Sequence, residues 1–219
     1  MAKPQKADVI RAAPRLYLAT PPIGEPDGFT GALGAALEAA DVAAVLLRLG
    51  PADERTLINR VKVLAAAVQP KDVALVLDGH ADIVARGGAD GAHLTGIDAF
   101  TAALEVLKPA RIAGCGGLQS RHDAMSAGER GADYVMFGEP GPDGRRPPFA
   151  AIVERVEWWA PLFEIPCVAY AATLDEIAAL AAAGAEFIAV GDTVWRDARG
   201  PAAAVADVAA RLAALETLA

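Results

Sequence analysis

The chain has 219 residues, a formal net charge of −8 and 54% apolar content, much of it alanine. That acidity repels phosphate backbones, and no basic stripe is interleaved with aromatics, so nucleic acid is not an expected partner. No apolar run reaches membrane-span length, and the opening residues, with Lys3, Lys6 and Arg11, lack the apolar stretch of a signal peptide, so the expectation is a cytoplasmic protein without a membrane partner.

Residues 1–13 read as a flexible arm and residues 14–219 as one domain. Along that domain two markers alternate. Pro14, Pro70, Pro109 and Pro166 each stand shortly before an apolar run. Between them fall Ala39-Ala40-Asp41, Gly88-Ala89-Asp90, Gly131-Ala132-Asp133 and Gly184-Ala185-Glu186, each followed directly by another apolar run. Proline cannot continue a helix, and glycine takes the helix-ending left-handed conformation cheaply, so both markers are exits from helix into strand. The strands this predicts span 16–19, 43–48, 73–77, 91–94, 111–114, 134–137, 167–170 and 187–190. Their near-continuous apolar character suits a parallel sheet buried on both faces. Ala-, Leu- and Glu-rich stretches at 31–40, 54–68, 81–86, 99–108, 121–130, 149–159, 174–183 and 202–215 read as the helices. Eight strand-helix units predict an α/β fold, a (β/α)8 TIM barrel. An open doubly wound sheet is the competing architecture, but Thr20-Pro21-Pro22 stands where its Gly-x-Gly-x-x-Gly turn would follow the first strand.

In a barrel, the loops at the carboxyl ends of the strands build the site. These positions hold Thr20, Arg48, Asp78, His80, His93, Asp98, Cys115, Gly117, Tyr170, Thr173, Asp192 and Thr193. Arg48 ends an apolar strand, so its guanidinium must face either a rim acid such as Asp78 or an anionic ligand. Asp78 and Asp98 are oxygen donors that could share Mg2+ with a phosphorylated substrate, with helix capping as the competing account of Asp98. His93 is either a site residue or a hydrogen-bonded core histidine, while His80 and His122 stand in helical contexts without a nucleophile nearby. Residues 138–148, rich in Gly and Pro, carry Glu139, Asp143, Arg145 and Arg146 and read as a site lid or a solvated loop. Cys115 and Cys167 belong to no Cys-x-x-Cys pair or Cys/His cluster and read as core residues. Trp158-Trp159 is expected outside the barrel, where one indole would mark a contact in a homo-oligomer.

Arg15-Leu16-Tyr17-Leu18-Ala19-Thr20, Leu46-Leu47-Arg48, Leu77-Asp78-Gly79-His80-Ala81-Asp82-Ile83, Gly88-Ala89-Asp90-Gly91-Ala92-His93-Leu94 and Gly131-Ala132-Asp133-Tyr134-Val135 resemble the thiamine-phosphate synthase family, which includes thiazole tautomerases. The resemblance runs from about residue 15 to residue 212. It implies a (β/α)8 barrel that couples a pyrimidine pyrophosphate to a thiazole phosphate with Mg2+ and releases pyrophosphate. The family's catalytic arginine falls on Arg48, but the glutamine and lysine beside it fall on Leu46 and Gly50. Its first magnesium aspartate falls on Gly79, with Asp78 the nearest substitute, and its second on Asp98. The serine of its Ser-x-His element falls on Gly117 and the histidine, which tautomerases use, on Gln119. Its Thr-x-Thr-Lys lid falls on Asp143-Gly144-Arg145-Arg146, leaving Arg146 as the lid cation. The Gly-Gly of its phosphate cradle falls on Ala171-Ala172, followed by Asp192 where it has serine. Arg48, His93, Gly117, Arg145, Tyr170, Ala171, Ala172, Asp192 and Thr193 are thereby the expected binding residues, with Arg48 and Arg146 catalytic. The replacements predict a divergent member with weak or lost synthase activity, with a non-catalytic small-molecule-binding or regulatory barrel as the alternative.

Overall fold

The computed structural model describes residues 13–141 and 143–216. The expected arm therefore lies, except for Ala13, outside the described residues. Eight parallel strands close into a barrel in sequence order, with β1 paired to β8. They are β1 (Arg15–Ala19), β2 (Val42–Leu47), β3 (Ala74–Asp78), β4 (Gly91–Thr95), β5 (Ile112–Gly116), β6 (Tyr134–Phe137), β7 (Cys167–Tyr170) and β8 (Phe187–Val190). Around them run α1 (Asp27–Ala39), α2 (Glu54–Val68), α3 (Val84–Gly87), α4 (Ile97–Leu107), α5 (Arg121–Glu129), α6 (Phe149–Trp159), α7 (Glu176–Ala183), α8 (Asp192–Trp195) and α9 (Pro201–Glu216). The expected (β/α)8 TIM barrel is the fold. Among the described residues no helix is long and apolar enough to cross a membrane.

Strand periodicity divides the core into two compartments. Leu16, Leu18, Val45, Leu47, Leu75 and Leu77 face the helices. Tyr17, Ala19, Ala44, Leu46, Val76, Tyr134, Met136, Val168, Tyr170 and Ala189 fill the barrel interior. Small residues make room there for the tyrosines: a Cβ on Gly114 would overlap the ring of Tyr134.

The repeated acid before each even strand has a role beyond ending a helix. The backbone N–H of Asp90 donates to the carbonyl of Leu75 at 2.8 Å. Its carboxylate accepts the Leu75 N–H in return at 2.7 Å. Asp133 makes the same reciprocal pair with Ala113, at 2.9 Å and 2.7 Å. Glu186 makes it with Cys167, at 3.2 Å and 2.9 Å. Before β2 the pattern changes, and Asp41 instead forms an exposed ion pair with Arg15 at 3.1 Å.

Several boundaries depart from the sequence reading. α1 starts four residues early because Pro26 takes the N-cap position and its carbonyl accepts from the N–H groups of Phe29 and Thr30. Phe29 then packs on Trp195 of α8, a helix the sequence did not predict, with ring centroids 4.7 Å apart. The helix expected at 81–86 is a 3-10 turn at Ala81–Ile83 followed by the single turn of α3. Trp158 and Trp159 lie outside the barrel as expected, and they diverge. Trp159 is fully buried, stacked on Phe163 with its indole N–H donated to the Ile165 carbonyl. Trp158 is half-buried beneath the Arg121 guanidinium, 5.0 Å from its ring.

Asp90→Ala removes the acceptor of a strand N–H and should cost about 1–3 kcal/mol, with Asp90→Asn recovering part of the loss. Denaturant unfolding of the two variants measures this, and equal stability of Asp90→Ala and the parent would rule out the strand-tying role.

Candidate functional site

The carboxyl ends of the strands gather most of the predicted residues, but in a different arrangement from that expected. Arg48 follows β2 directly. Its backbone N–H donates to the Thr20 hydroxyl at 3.0 Å, and its guanidinium Nε lies 3.1 Å from Asp78 Oδ2. The partner open in the sequence reading is thus a rim acid. Tyr170 is buried at the end of β7, and its carbonyl accepts from Arg146.

Arg146 is not poised as a lid cation. Its guanidinium meets the Glu176 carboxylate at 2.8 Å and also donates to the Gly138 carbonyl, with 17% and 16% of the two side chains exposed. Three elements converge on this one guanidinium, which fixes the base of the loop between β6 and α6. Arg145 points away, 90% exposed, beside Asp143 of the same loop.

The expected phosphate cradle is filled from within. The Ala171 N–H donates to the Ala189 carbonyl as part of the ladder between β7 and β8. The Ala172 N–H donates to Glu176 Oε2 at 2.8 Å, and the Thr193 hydroxyl donates to the Ala172 carbonyl at 2.7 Å. Asp192 is exposed and paired with Arg196 at 3.0 Å. A carboxylate at the first residue of α7 therefore takes the Ala172 backbone donor.

Asp98 does not cap its helix. Gly96 holds the N-cap position, and Asp98 sits exposed in the first turn of α4, where a negative charge still favours the helix dipole. Asp78 is committed to Arg48, and among the described residues no group of three or more His, Cys, Asp or Glu side chains gathers as a metal cage. These donors do not fit a resident Mg2+.

Glu139, named in the sequence reading only as part of the 138–148 segment, has a place of its own in the site. It stands two positions past β6 and turns inward, its side chain 10% exposed, to accept the N–H of Gly117. His93 of β4 approaches the same carboxylate, with Nε2 4.0 Å from Oε1. The ring of His93 is 1% exposed, and Nδ1 lies 3.0 Å from the Tyr134 hydroxyl, itself 2.8 Å from that of Tyr17. His93 is thus half of what a satisfied core histidine would be: one nitrogen is bonded and the other is not. Burial pushes the Glu139 carboxyl up to about 7 and the His93 imidazole down to about 4. Cys115 is pushed up to about 12 by burial and by Glu139, so the core role expected for it holds.

Glu139 lines a cavity of about 690 Å3 between the β5–α5 and β6–α6 loops. Of the expected residues, Gly117, Arg145 and Arg146 share its lining. Ser120 and Asp123 form a capping box at the start of α5 that holds the Gly117-to-Gln119 turn against it.

A closed parallel barrel with a recess and ionisable groups at its strand ends is the class of fold that builds its sites from those loops. Its family is shown by comparison. The model of the thiamine monophosphate synthase family matches residues 16–194. Relatives named thiamine-phosphate synthase include one from Rhodospirillum centenum, 44% identical, with the match covering 88% of this chain and 95% of that protein. Another, from Hyphomonas neptunium, is 40% identical over 89% of this chain and 92% of its own length. The solved thiamine phosphate pyrophosphorylase from Pyrococcus furiosus superposes with a TM-score of 0.77 at 24% identity, covering 92% of this chain and 96% of that one. The chain belongs to the thiamine monophosphate synthase family.

The raised Glu139 carboxyl gives a signed pH prediction. Its folded value of about 7 exceeds the ordinary 4.5, so its contribution to stability is full below that ordinary value and is lost as pH rises toward the folded one. His93, depressed from 6.5 to about 4, contributes with the opposite sign, so the useful quantity is the stability of the parent minus that of Glu139→Gln. That difference should fall by on the order of 2–3 kcal/mol across the window. Urea titrations at stepped pH measure it, and a flat difference would mean that Glu139 ionises freely.

Proposed function

We propose that this chain is a thiamine-phosphate synthase-type barrel that binds a small heterocyclic ligand at the carboxyl ends of its strands, with coupling of pyrimidine pyrophosphate to thiazole phosphate slow or lost. The observation that carries this reading is the internal neutralisation of both carried-over arginines, Arg48 by Asp78 and Arg146 by Glu176. Departing pyrophosphate needs positive charge that strengthens as the bond breaks. A guanidinium already bonded to a carboxylate offers less of it, and the negative charge of Glu176 occupies the donor at Ala172. Mg2+ enters this reading only in company with the pyrophosphate substrate, whose oxygens would have to complete its shell around Asp78 or Asp98.

The relatives from Rhodospirillum centenum and Hyphomonas neptunium, both named thiamine-phosphate synthase, favour a second reading in which the ordinary coupling reaction survives. On that reading Asp78 and Glu176 would hold the arginines in place until the anionic substrates displace them.

A turnover assay with both substrates and Mg2+ decides between the two. The first reading expects pyrophosphate release only at high enzyme concentration or not at all. Rapid turnover abolished by Arg48→Ala would establish the second. Glu176→Gln should strengthen binding of thiazole phosphate on the order of tenfold, about 1.4 kcal/mol, by freeing Arg146. Unchanged or weaker binding, read by thermal shift with phosphate-free thiazole alcohol as control, would count against an internal carboxylate in the anion cradle.

A further inference from the structure

The cavity of about 690 Å3 is walled by two loops that leave different strands: the β5–α5 turn at Gly117, Leu118 and Gln119, and the β6–α6 loop from Gly138 onward. The second wall is seated on α6. A Cβ at Gly138 would lie 2.8 Å from Ile152 Cδ1, so the chain leaves β6 close against that helix. α6 is a firm base, because Ile152, Val156 and Trp159 are buried in the core.

The first wall reaches the same helix through one side chain. Arg155 of α6 donates from Nη1 to the Leu118 carbonyl and from Nη2 to the Gln119 carbonyl. Among the described residues no carboxylate pairs with it, in contrast to Arg48 and Arg146. A planar fork suits two successive carbonyls in a way that the point charge of an ammonium does not. The turn depends on such help, because among the described residues the hydrogen bonds of 117–119 all involve a side chain. Gln119 Nε2 donates to the Gly117 carbonyl at 3.1 Å, the Gly117 N–H is donated to Glu139, and Arg155 takes the two carbonyls that remain. A carbonyl in a partly buried turn that loses its donor pays for the lost bond. Another link between α5 and α6, Arg121 with Glu154 at 2.9 Å, lies past the turn and is exposed on both sides, where an ion pair contributes little.

We propose that Arg155 is a positioning residue for this cavity: its fork holds the β5–α5 turn against α6, and so fixes the width of the recess and the aim of the Gly117 N–H. It acts through the turn, which the ligand meets, and its own donors stay committed to the two carbonyls. The functional part of the inference rests on the reading that a ligand enters at the strand ends, whereas the contact itself does not.

Amide hydrogen exchange followed by NMR tests the contact without any ligand. Arg155→Met keeps an apolar stem and loses every donor. In that variant the Gly117 amide should exchange at least about tenfold faster relative to the Leu18 amide of β1, across the barrel, so that a general loss of stability cancels. Arg155→Lys should recover part of the protection, and Arg121→Met should leave the ratio unchanged. Isothermal titration calorimetry then separates positioning from direct contact. Pyrimidine pyrophosphate with Mg2+ should bind Arg155→Met at least about fivefold more weakly than the parent, with part restored in Arg155→Lys, while inorganic pyrophosphate with Mg2+ binds all three alike. An unchanged exchange ratio in Arg155→Met would overturn the proposal. So would unchanged binding of pyrimidine pyrophosphate, or its weakening in step with inorganic pyrophosphate, which would make Arg155 an anion contact. A parent that binds neither compound would sink the strand-end ligand reading, and the exchange ratio alone would then decide what Arg155 holds.

Discussion

The barrel depends on one repeated interaction at the amino-terminal ends of its strands. A carboxylate placed just before an even strand closes a two-way hydrogen-bonded ring with the odd strand before it, at Asp90 with Leu75, Asp133 with Ala113 and Glu186 with Cys167. The same residues reach forward as well: the Asp90 carbonyl accepts from Ile112 at 2.9 Å and the Glu186 carbonyl from Arg15 at 3.0 Å. Asp90 and Glu186 thus each tie the starts of three neighbouring strands, and Asp133 ties those of two. Since strand side chains alternate faces with a period of two, a slip of one residue would exchange the tyrosine-lined interior with the leucine-rich helix face. Fixed starts therefore determine which side chains arrive at the other end, where the site is built.

At that other end charge is handled in the opposite spirit. The two arginines nearest the mouth are each met by a carboxylate of the same chain, and the backbone donor at Ala172 is met by a third contact from Glu176. Partly buried pairs of this kind hold geometry well, because removing one partner strands the other charge in a poor solvent. The cavity keeps Arg145 and Arg155 besides, the first exposed and the second bonded to the Leu118 and Gln119 carbonyls. Glu139 is met instead by the Gly117 backbone N–H, and burial raises its carboxyl.

Much of the fold was legible because its punctuation is local. Pro14, Pro70, Pro109 and Pro166 and the four acid-ending markers locate every strand to within a residue or two, since backbone preferences act where the residues stand. The second role of the acids was not legible, because their partners lie 15 to 20 residues upstream and no local rule names them. The start of α1 was missed for a related reason: Phe29 is held by Trp195 far along the chain. In the site, Arg48, Asp78, His93 and Gly117 were identified from their positions at strand ends, and the Arg48–Asp78 pair stood as one of two alternatives, but the contacts of His93 and Gly117 with Tyr134 and Glu139 were not legible. Glu139 was hidden among Gly and Pro in a segment that reads as solvated. The one signal that could have raised it is its place two positions past the end of β6, among the strand ends where a barrel builds its site.

The support of His93 comes from the barrel core and not from the rim. Tyr134 fills the interior opposite Gly114 and bonds His93 Nδ1, so the imidazole is held by an element of the core and not by the ligand-facing loops. Replacing rim residues such as those at positions 79, 119 and 143 leaves that support untouched. The rim loops are free to trade hydroxyls and lysines for other groups, while the core continues to present one nitrogen toward the space above Gly116. A carboxylate delivered by the β6–α6 loop then meets a partner that the barrel had already positioned.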